Sequence, residues 1–142
     1  MFRPRRYLQG RYLTHYKRFD GGASAWLEPH FILGVAAFVA GAAINVHADS
    51  VLINLRRAGS GDRAYYIPSG GMFYYVSGAN FFGEIVEWAG WAVASWSLPA
   101  AAFALFTLCN VGPRGAQHHA WYRAKFGALY PRRRKAVIPF VW

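Results

Sequence analysis

Three sets of polar residues interrupt an otherwise apolar sequence, and each set has the spacing of one helix face. The sets are Asn45, Asp49 and Arg56 at positions i, i+4 and i+11; Asn80, Glu84 and Glu87 at i, i+4 and i+7; and Arg114, His118 and Tyr122 at i, i+4 and i+8. Residues with such spacings lie on the same side of an α-helix. Amides, carboxylates and guanidinium groups together suit a ligand that carries an amide, hydroxyls and phosphates.

The second set places two carboxyl groups in a helix that is otherwise apolar. An acid inside a membrane helix costs at least about 2.5 kcal/mol on insertion scales unless it is paired or hydrated. We therefore expect Glu84 and Glu87 to have a partner. An ion pair with Arg56 or Arg114 would provide one, a polar ligand would provide another, and both can hold at once.

The third set places a cation, an imidazole and a phenol in a row. Arg114 lies one turn before His118, a geometry that suits phosphate oxygens, and with Arg56 nearby the site would bind a dianionic group. His119 points to another side of the same helix.

The first set, Asn45, Asp49 and Arg56, also has a simpler interpretation, because its three side chains would be ordinary solvated groups if the helix ends in water.

Two long apolar runs must supply the helices that carry these sets. The first extends from Phe31 to Val46 and reaches about 20 residues with the apolar residues before it, enough to cross a bilayer. The second, from Phe81 to Val111, would overshoot a bilayer as one helix at about 1.5 Å per residue. We expect two shorter helices joined near Pro99. The polar, glycine-containing connection from 57 to 71 is typical of a surface loop.

Composition favours a membrane protein over a soluble one. Hydrophobic residues make up 55% of the chain and charged residues 15%, against roughly 25% charged in soluble domains. The net charge is +10, but each basic cluster borders an apolar run, as the cytosolic ends of membrane helices do, so we expect no nucleic-acid partner. The single cysteine, Cys109, excludes an intramolecular disulfide. The adjacent pair His118 and His119 lacks further residues at a plausible spacing for metal ligands.

The charges also predict how the helices are arranged. Arg56 and Arg57 end the first span and Arg114 ends the third, so both ends should face the cytosol, where the second helix begins. We predict an all-α integral membrane bundle with about three spanning helices plus interfacial helices, forming one membrane domain over residues 1–142. All three polar faces would then meet at one membrane surface, where they suit a dinucleotide. No G-x-G-x-x-G or P-loop motif of the soluble type is present.

Long stretches of the sequence resemble the steroid 5-alpha-reductases, the 3-oxo-5-alpha-steroid 4-dehydrogenases. The strongest block runs from Ile67 to Tyr122 and contains the run VSGANFFGEIVEW; shorter blocks run from Tyr7 to His15, Ile44 to Arg56 and Lys135 to Trp142. The resemblance implies a helical membrane bundle in the endoplasmic reticulum, in which NADPH reduces the carbon-carbon double bond of a 3-oxo-4-ene steroid or related enone lipid. The family's cofactor-contacting positions match Asn45, Asp49, Arg56, Tyr65, Asn80, Glu84, Arg114, His118 and Tyr122.

The chain departs from the family pattern in two ways. Ile53 stands where an arginine is expected and Tyr66 where a basic residue is common, which would weaken cofactor affinity or the preference for NADPH. The family's amino-terminal helices, which supply the groups that polarise the steroid carbonyl, are expected to be absent. No catalytic residue of this chain can therefore be assigned.

Two other functions stay open from the sequence. Isoprenylcysteine methyltransferases look similar in their terminal helices and bind a nucleotide-containing cofactor there, so binding of S-adenosylmethionine would favour that class. A truncated product that inserts in the membrane without catalysis is the non-enzymatic alternative.

Overall fold

Three α-helices make up most of the structure, a computed structural model that describes Arg11, Thr14, His15 and residues 26–58 and 65–142. They are α1 (Pro29–Ala58), α2 (Ala79–Ser95) and α3 (Leu98–Phe126), with short 3-10 helices at Gly71–Tyr74 and Gly127–Leu129. Within these residues the only β-type pairing is an isolated bridge between Val76 and Lys135. Over the described residues the prediction of an all-helical fold is confirmed, and the first helix continues well past Val46 as its polar face required.

α1 has the length and composition of a membrane span. Pro29 opens it, a position where the missing N–H of proline is not needed, and the Glu28 carbonyl accepts hydrogen bonds from the N–H groups of Phe31 and Ile32 at 3.0 and 3.1 Å. Large apolar side chains remain exposed along the helix, including Leu33 at 67% and Val46 at 67%. A soluble core helix would bury these side chains, whereas lipid accommodates them.

α1 and α2 pack antiparallel through glycines. A Cβ placed on Gly41 would overlap the backbone nitrogen of Glu87, and one placed on Gly90 would overlap the backbone nitrogen of Phe38. Gly34 faces Ala94 and Gly83 faces Asn45 in the same way. Small residues that let two backbones touch are typical of helix pairs in lipid, where close van der Waals packing replaces the hydrophobic effect.

The second apolar run is divided as the sequence predicts. Trp96 ends α2 with a left-handed backbone conformation, φ 43°, and its N–H reaches the carbonyl of Ala92 at 3.0 Å. Ser97 is the N-cap of α3, and Pro99 follows within the first turn, where proline is tolerated. The turn allows α2 and α3 to run antiparallel beside each other, with Trp88 and Phe103 in edge-to-face contact at 4.6 Å between ring centroids.

The predicted number of about three spans is only partly supported. Over the described residues, Pro29–Arg57 is the one helix that is both long and apolar enough to cross a membrane. α2 has 17 residues, about 25 Å at helical rise, and is therefore shorter than a typical hydrocarbon core of about 30 Å. α3 has 29 residues, but its apolar part ends at Val111 and the helix continues through Pro113 into a polar extension.

The carboxyl-terminal tail folds back onto this extension. Val137 is fully buried against Gly115, and the Trp142 ring lies 2.9 Å from the position that a Cβ on Gly112 would take. The tail also pairs with the segment before α2, since the N–H of Ser77 donates to the Lys135 carbonyl at 2.8 Å and the N–H of Gly78 donates to the Ala136 carbonyl at 2.9 Å. One end of the bundle is thus held together by α1, α2, α3 and the tail.

Candidate functional site

The polar faces of α1 and α2 lie side by side at this end of the bundle. Asn45 packs against Gly83, because a Cβ on that glycine would lie 2.6 Å from the Asn45 backbone nitrogen. Glu84 is the next residue along α2, and Asn80 lies one turn before it, near the start of the helix. Asn45, Asn80 and Glu84 are all half-buried, whereas Asp49 and Arg56 farther along α1 are exposed.

Glu84 lies at the centre of a group of ionisable residues from all three helices. Glu87 of α2, Arg114 of α3 and Asp49 of α1 are close enough for their charges to act on its carboxyl group. Among the residues that the structure describes, however, no basic side chain lies within 4.0 Å of a carboxylate oxygen of Glu84 or Glu87. The ion pair with Arg56 or Arg114 that the sequence left open is therefore not formed as a direct contact.

The polar extension of α3 faces the beginning of α2. The His118 ring meets the Phe81 ring edge-on, with 5.6 Å between centroids. Arg114, one turn earlier, and His118 are both exposed, so their polar atoms are accessible to a ligand. These positions place the cation and the imidazole of the third set beside the helix that carries Asn80 and Glu84.

Tyr122 closes the third set inside a group of aromatic rings. Its ring stacks on Phe126 at 6.0 Å and on Tyr130 at 5.6 Å. Burial and the nearby Tyr130 phenol raise the pKa of Tyr122 above its ordinary value, while Arg134 and Arg56 act in the opposite direction. Tyr122 is therefore a neutral hydrogen-bonding phenol at physiological pH, and Arg56 of α1 is close enough for its charge to act on it.

Tyr65 lies at the outer edge of the same end. Its ring meets Trp121 edge-on at 5.0 Å, and Lys125 Nζ lies 4.0 Å from the Tyr65 ring centroid and 5.0 Å from that of Trp121. These contacts join the segment before α2 to the last turns of α3 by cation–π attraction. Ile53 and Tyr66, the two departures from the family pattern, are exposed at 47% and 44%.

A hydrogen-bonded group that the sequence did not single out connects α3, the segment before α2 and the carboxyl-terminal tail. Ser77 Oγ is 2.6 Å from His119 Nδ1, 2.6 Å from the Tyr130 hydroxyl and 3.1 Å from the Lys135 carbonyl. Ser77 and Tyr130 are buried, and Arg134 beside them donates to the Pro68 carbonyl at 3.1 Å. His119 does lie off the face of His118, as predicted, but it is directed into the fold rather than to the surface.

The structure therefore brings the nine predicted binding residues to one end of the bundle, although it does not place them all in mutual contact. Amides, a carboxyl group, an imidazole, phenols and guanidinium groups are the donors and acceptors that a dinucleotide requires. Their role in binding stays a prediction. In the part of the chain that the structure describes, no cluster of three or more histidine, cysteine or acidic residues could hold a metal ion.

Comparison with known proteins identifies the family. The sequence profile described as 3-oxo-5-alpha-steroid 4-dehydrogenase matches residues 5–142. The chain belongs to the 3-oxo-5-alpha-steroid 4-dehydrogenase family. It is 49% identical to 3-oxo-5-alpha-steroid 4-dehydrogenase 1 of Macaca fascicularis over 137 residues, which cover 96% of this chain and 50% of that protein.

Human members of the 3-oxo-5-alpha-steroid 4-dehydrogenase family are similarly related. Identity is 48% to the human type 1 protein over 96% of this chain and 51% of the relative, and 49% to the human type 2 protein over 95% of this chain and 51% of the relative. The chain thus spans about half the length of these relatives and corresponds to their carboxyl-terminal half. The resemblance first noted from the sequence is confirmed.

Proposed function

We propose that this chain supplies the NADPH site of a membrane reductase that reduces the carbon-carbon double bond of a 3-oxo-4-ene steroid or a related enone lipid. The proposal is supported by family membership and by one structural observation. Polar side chains from α1, α2 and α3 meet at the same end of the bundle, with Asn45, Glu84 and Arg114 contributed by different helices. Such convergence is expected of a ligand site and is not required for packing.

The binding groups divide by chemistry into two parts. The amides of Asn45 and Asn80 suit an amide and ribose hydroxyls because they both donate and accept hydrogen bonds, and a carboxylate at Glu84 accepts hydrogen bonds from hydroxyl or amide donors. Arg114, His118 and Arg56 suit the phosphate groups, since charge-assisted hydrogen bonds to phosphate oxygens are roughly twice as strong as neutral ones. Asp49, Tyr65 and Tyr122 complete the proposed set at its edges.

The proposed site divides the work of the reaction between cofactor and protein. NADPH supplies the hydride when it is bound. The side chains of this chain hold and orient the dinucleotide, and orientation of the reactants accounts for a large part of enzymatic rate enhancement. The carbonyl of the enone must be polarised by another group, which we do not place among the residues of this chain.

We further propose that the bundle lies in the endoplasmic reticulum membrane with its polar end toward the cytosol. The exposed apolar side chains of α1 support contact with membrane lipid. Arg56 and Arg57 end α1, and Arg114 lies just beyond the apolar part of α3 at the same end of the bundle. An excess of arginine and lysine marks cytosolic ends of membrane helices.

A reductase assay tests this proposal. The chain would be co-expressed with the amino-terminal half of the human type 1 relative and purified as a complex, and loss of the enone absorbance of a 3-oxo-4-ene steroid would be followed with NADPH. We expect loss of absorbance that requires both NADPH and this chain. A folded complex without NADPH-dependent loss would contradict the activity, and binding of S-adenosylmethionine in preference to NADPH would assign the methyltransferase class instead.

A further inference from the structure

Ser77 connects three parts of the chain that lie far apart in sequence. Its hydroxyl is within hydrogen-bond distance of His119 on α3, of Tyr130 and of the Lys135 carbonyl in the tail. Its backbone N–H also donates to the Lys135 carbonyl at 2.8 Å. Only 4% of Ser77 is exposed, so these contacts are made away from bulk water, where a lost partner would leave a buried polar group unsatisfied.

The two ends of the Ser77–His119 contact are adjacent to proposed binding residues. His119 follows His118 and precedes Tyr122 by three residues, and successive side chains on a helix diverge by about 100°. His118 thus faces Phe81 and the proposed site while His119 faces Ser77. Ser77 precedes Asn80 by three residues and lies immediately before α2. Any rotation of the extension of α3 that moves His118 away from α2 must break this contact.

We propose that Ser77 and His119 are positioning residues whose hydrogen bond sets the rotation of the polar extension of α3 against the start of α2, holding Arg114, His118 and Tyr122 opposite Asn80 and Glu84. This inference rests on the proposed NADPH site. Neither residue contacts the ligand in this account. His119 acts through α3, and Ser77 acts through the segment that leads into α2. Misplacement of binding groups by about 1 Å is enough to weaken a site strongly.

The surroundings of His119 make the contact sensitive to pH. The Tyr130 ring lies edge-on to the imidazole at 5.8 Å, and the charges of Arg123 on α3 and of Arg134 and Lys135 in the tail all act on it. Burial and these three cations lower the pKa of His119 below its ordinary value. A proton added to His119 joins a group of positive charges that repel it, and Nδ1–H can then only donate to Ser77 Oγ, whose own proton is donated to the Lys135 carbonyl. The pH sensitivity of the contact therefore comes from this repulsion.

Calorimetric titration of the purified chain with NADPH in detergent tests the proposal. Ser77→Ala and His119→Phe remove the contact, whereas His119→Asn keeps a polar atom near the position of Nδ1. We expect the two disrupting variants to weaken NADPH binding about fivefold, the effect of one buried hydrogen bond, and His119→Asn to recover most of the affinity. Ser95→Ala removes a buried hydroxyl at the opposite end of the bundle and should leave the affinity unchanged.

Two further measurements separate positioning from a general loss of structure. Between about pH 8 and pH 5 the affinity of the wild-type chain should fall more steeply than that of His119→Asn, because only the wild type protonates at this position. Hydrogen exchange, measured without NADPH, should rise over residues 114–126 in Ser77→Ala and remain unchanged over α1.

Each outcome of these experiments decides between the proposals. Wild-type binding with unchanged affinity in Ser77→Ala and His119→Phe overturns the positioning role and leaves the NADPH site intact. Equal pH profiles for the wild type and His119→Asn also overturn it. Failure of the wild-type chain to bind NADPH removes the proposed site and, with it, the positioning role. Unchanged hydrogen exchange over residues 114–126 in Ser77→Ala shows that the contact does not restrain α3, whether or not NADPH binds.

Discussion

The two helix interfaces of the bundle are built differently. α1 and α2 meet backbone to backbone at Gly41 and Gly90, where even a methyl group would overlap the opposite helix. α2 and α3 meet through side chains, from the Trp88–Phe103 ring contact to the His118–Phe81 contact at the polar end. The first interface fixes Asn45 beside α2 with little freedom, whereas the second depends on the side chains that fill it. A site spanning both interfaces therefore needs an additional restraint on α3.

The largest effect should come from enlarging a residue in the glycine interface. Gly41→Leu forces side-chain atoms into the backbone of α2 at Glu87, and we expect it to lower the free energy of unfolding by more than about 3 kcal/mol or to prevent folding. Thermal unfolding and gel filtration in detergent measure this. Ala43→Leu, an exposed position on α1, is the matched control and should unfold like the wild type. Tolerance of Gly41→Leu would mean that the two backbones are not in contact.

A smaller loss should follow a change in the side-chain interface. Phe103→Leu removes the edge-to-face contact with the Trp88 ring, whose centroid lies 4.6 Å away, and keeps most of the apolar volume. We expect the free energy of unfolding to fall by about 1 kcal/mol. The same thermal measurement applies. If Phe103→Leu lowered the free energy of unfolding as much as Gly41→Leu does, the two interfaces would be equally sensitive to substitution.

The smallest effect concerns pH at the polar end. His119 has a folded pKa below its ordinary value of 6.5, so its neutral form stabilises the fold above that pH, and this stabilisation is lost as the pH falls through the folded pKa. The wild-type melting temperature should therefore drop more between about pH 7 and pH 5 than that of His119→Asn. Parallel pH dependence of the two proteins would contradict the burial of a neutral His119.

Local sequence patterns predicted the parts of the fold that depend on local spacing. The division near Pro99 follows because a single helix over the whole apolar run would be too long, and the structure ends α2 at Ser95 and begins α3 at Leu98. The faces of Asn45, Glu84 and His118 follow from helical periodicity alone. Charges at the helix ends then indicated which ends lie together.

Contacts between distant segments could not be predicted in this way. Ser77 and Tyr130 are separated by 53 positions, and no periodicity relates a serine before α2 to a tyrosine after α3. His119 was placed correctly off the face of His118, but its partner depends on how the tail folds back through Gly112 and Gly115. The absence of a direct ion pair at Glu84 among the described side chains likewise depends on distances that spacing does not give.

The central claim is that polar side chains from α1, α2 and α3 form one NADPH site. Calorimetric titration of the purified chain with NADPH in detergent tests it most directly, with Asn80→Ala and Glu84→Ala compared with the wild type. Asn54→Ala is the control, since this exposed amide lies on the side of α1 opposite to Asn45. The account predicts that the first two variants each bind about tenfold more weakly or worse and that Asn54→Ala binds like the wild type. Equal affinities for all four proteins would contradict it.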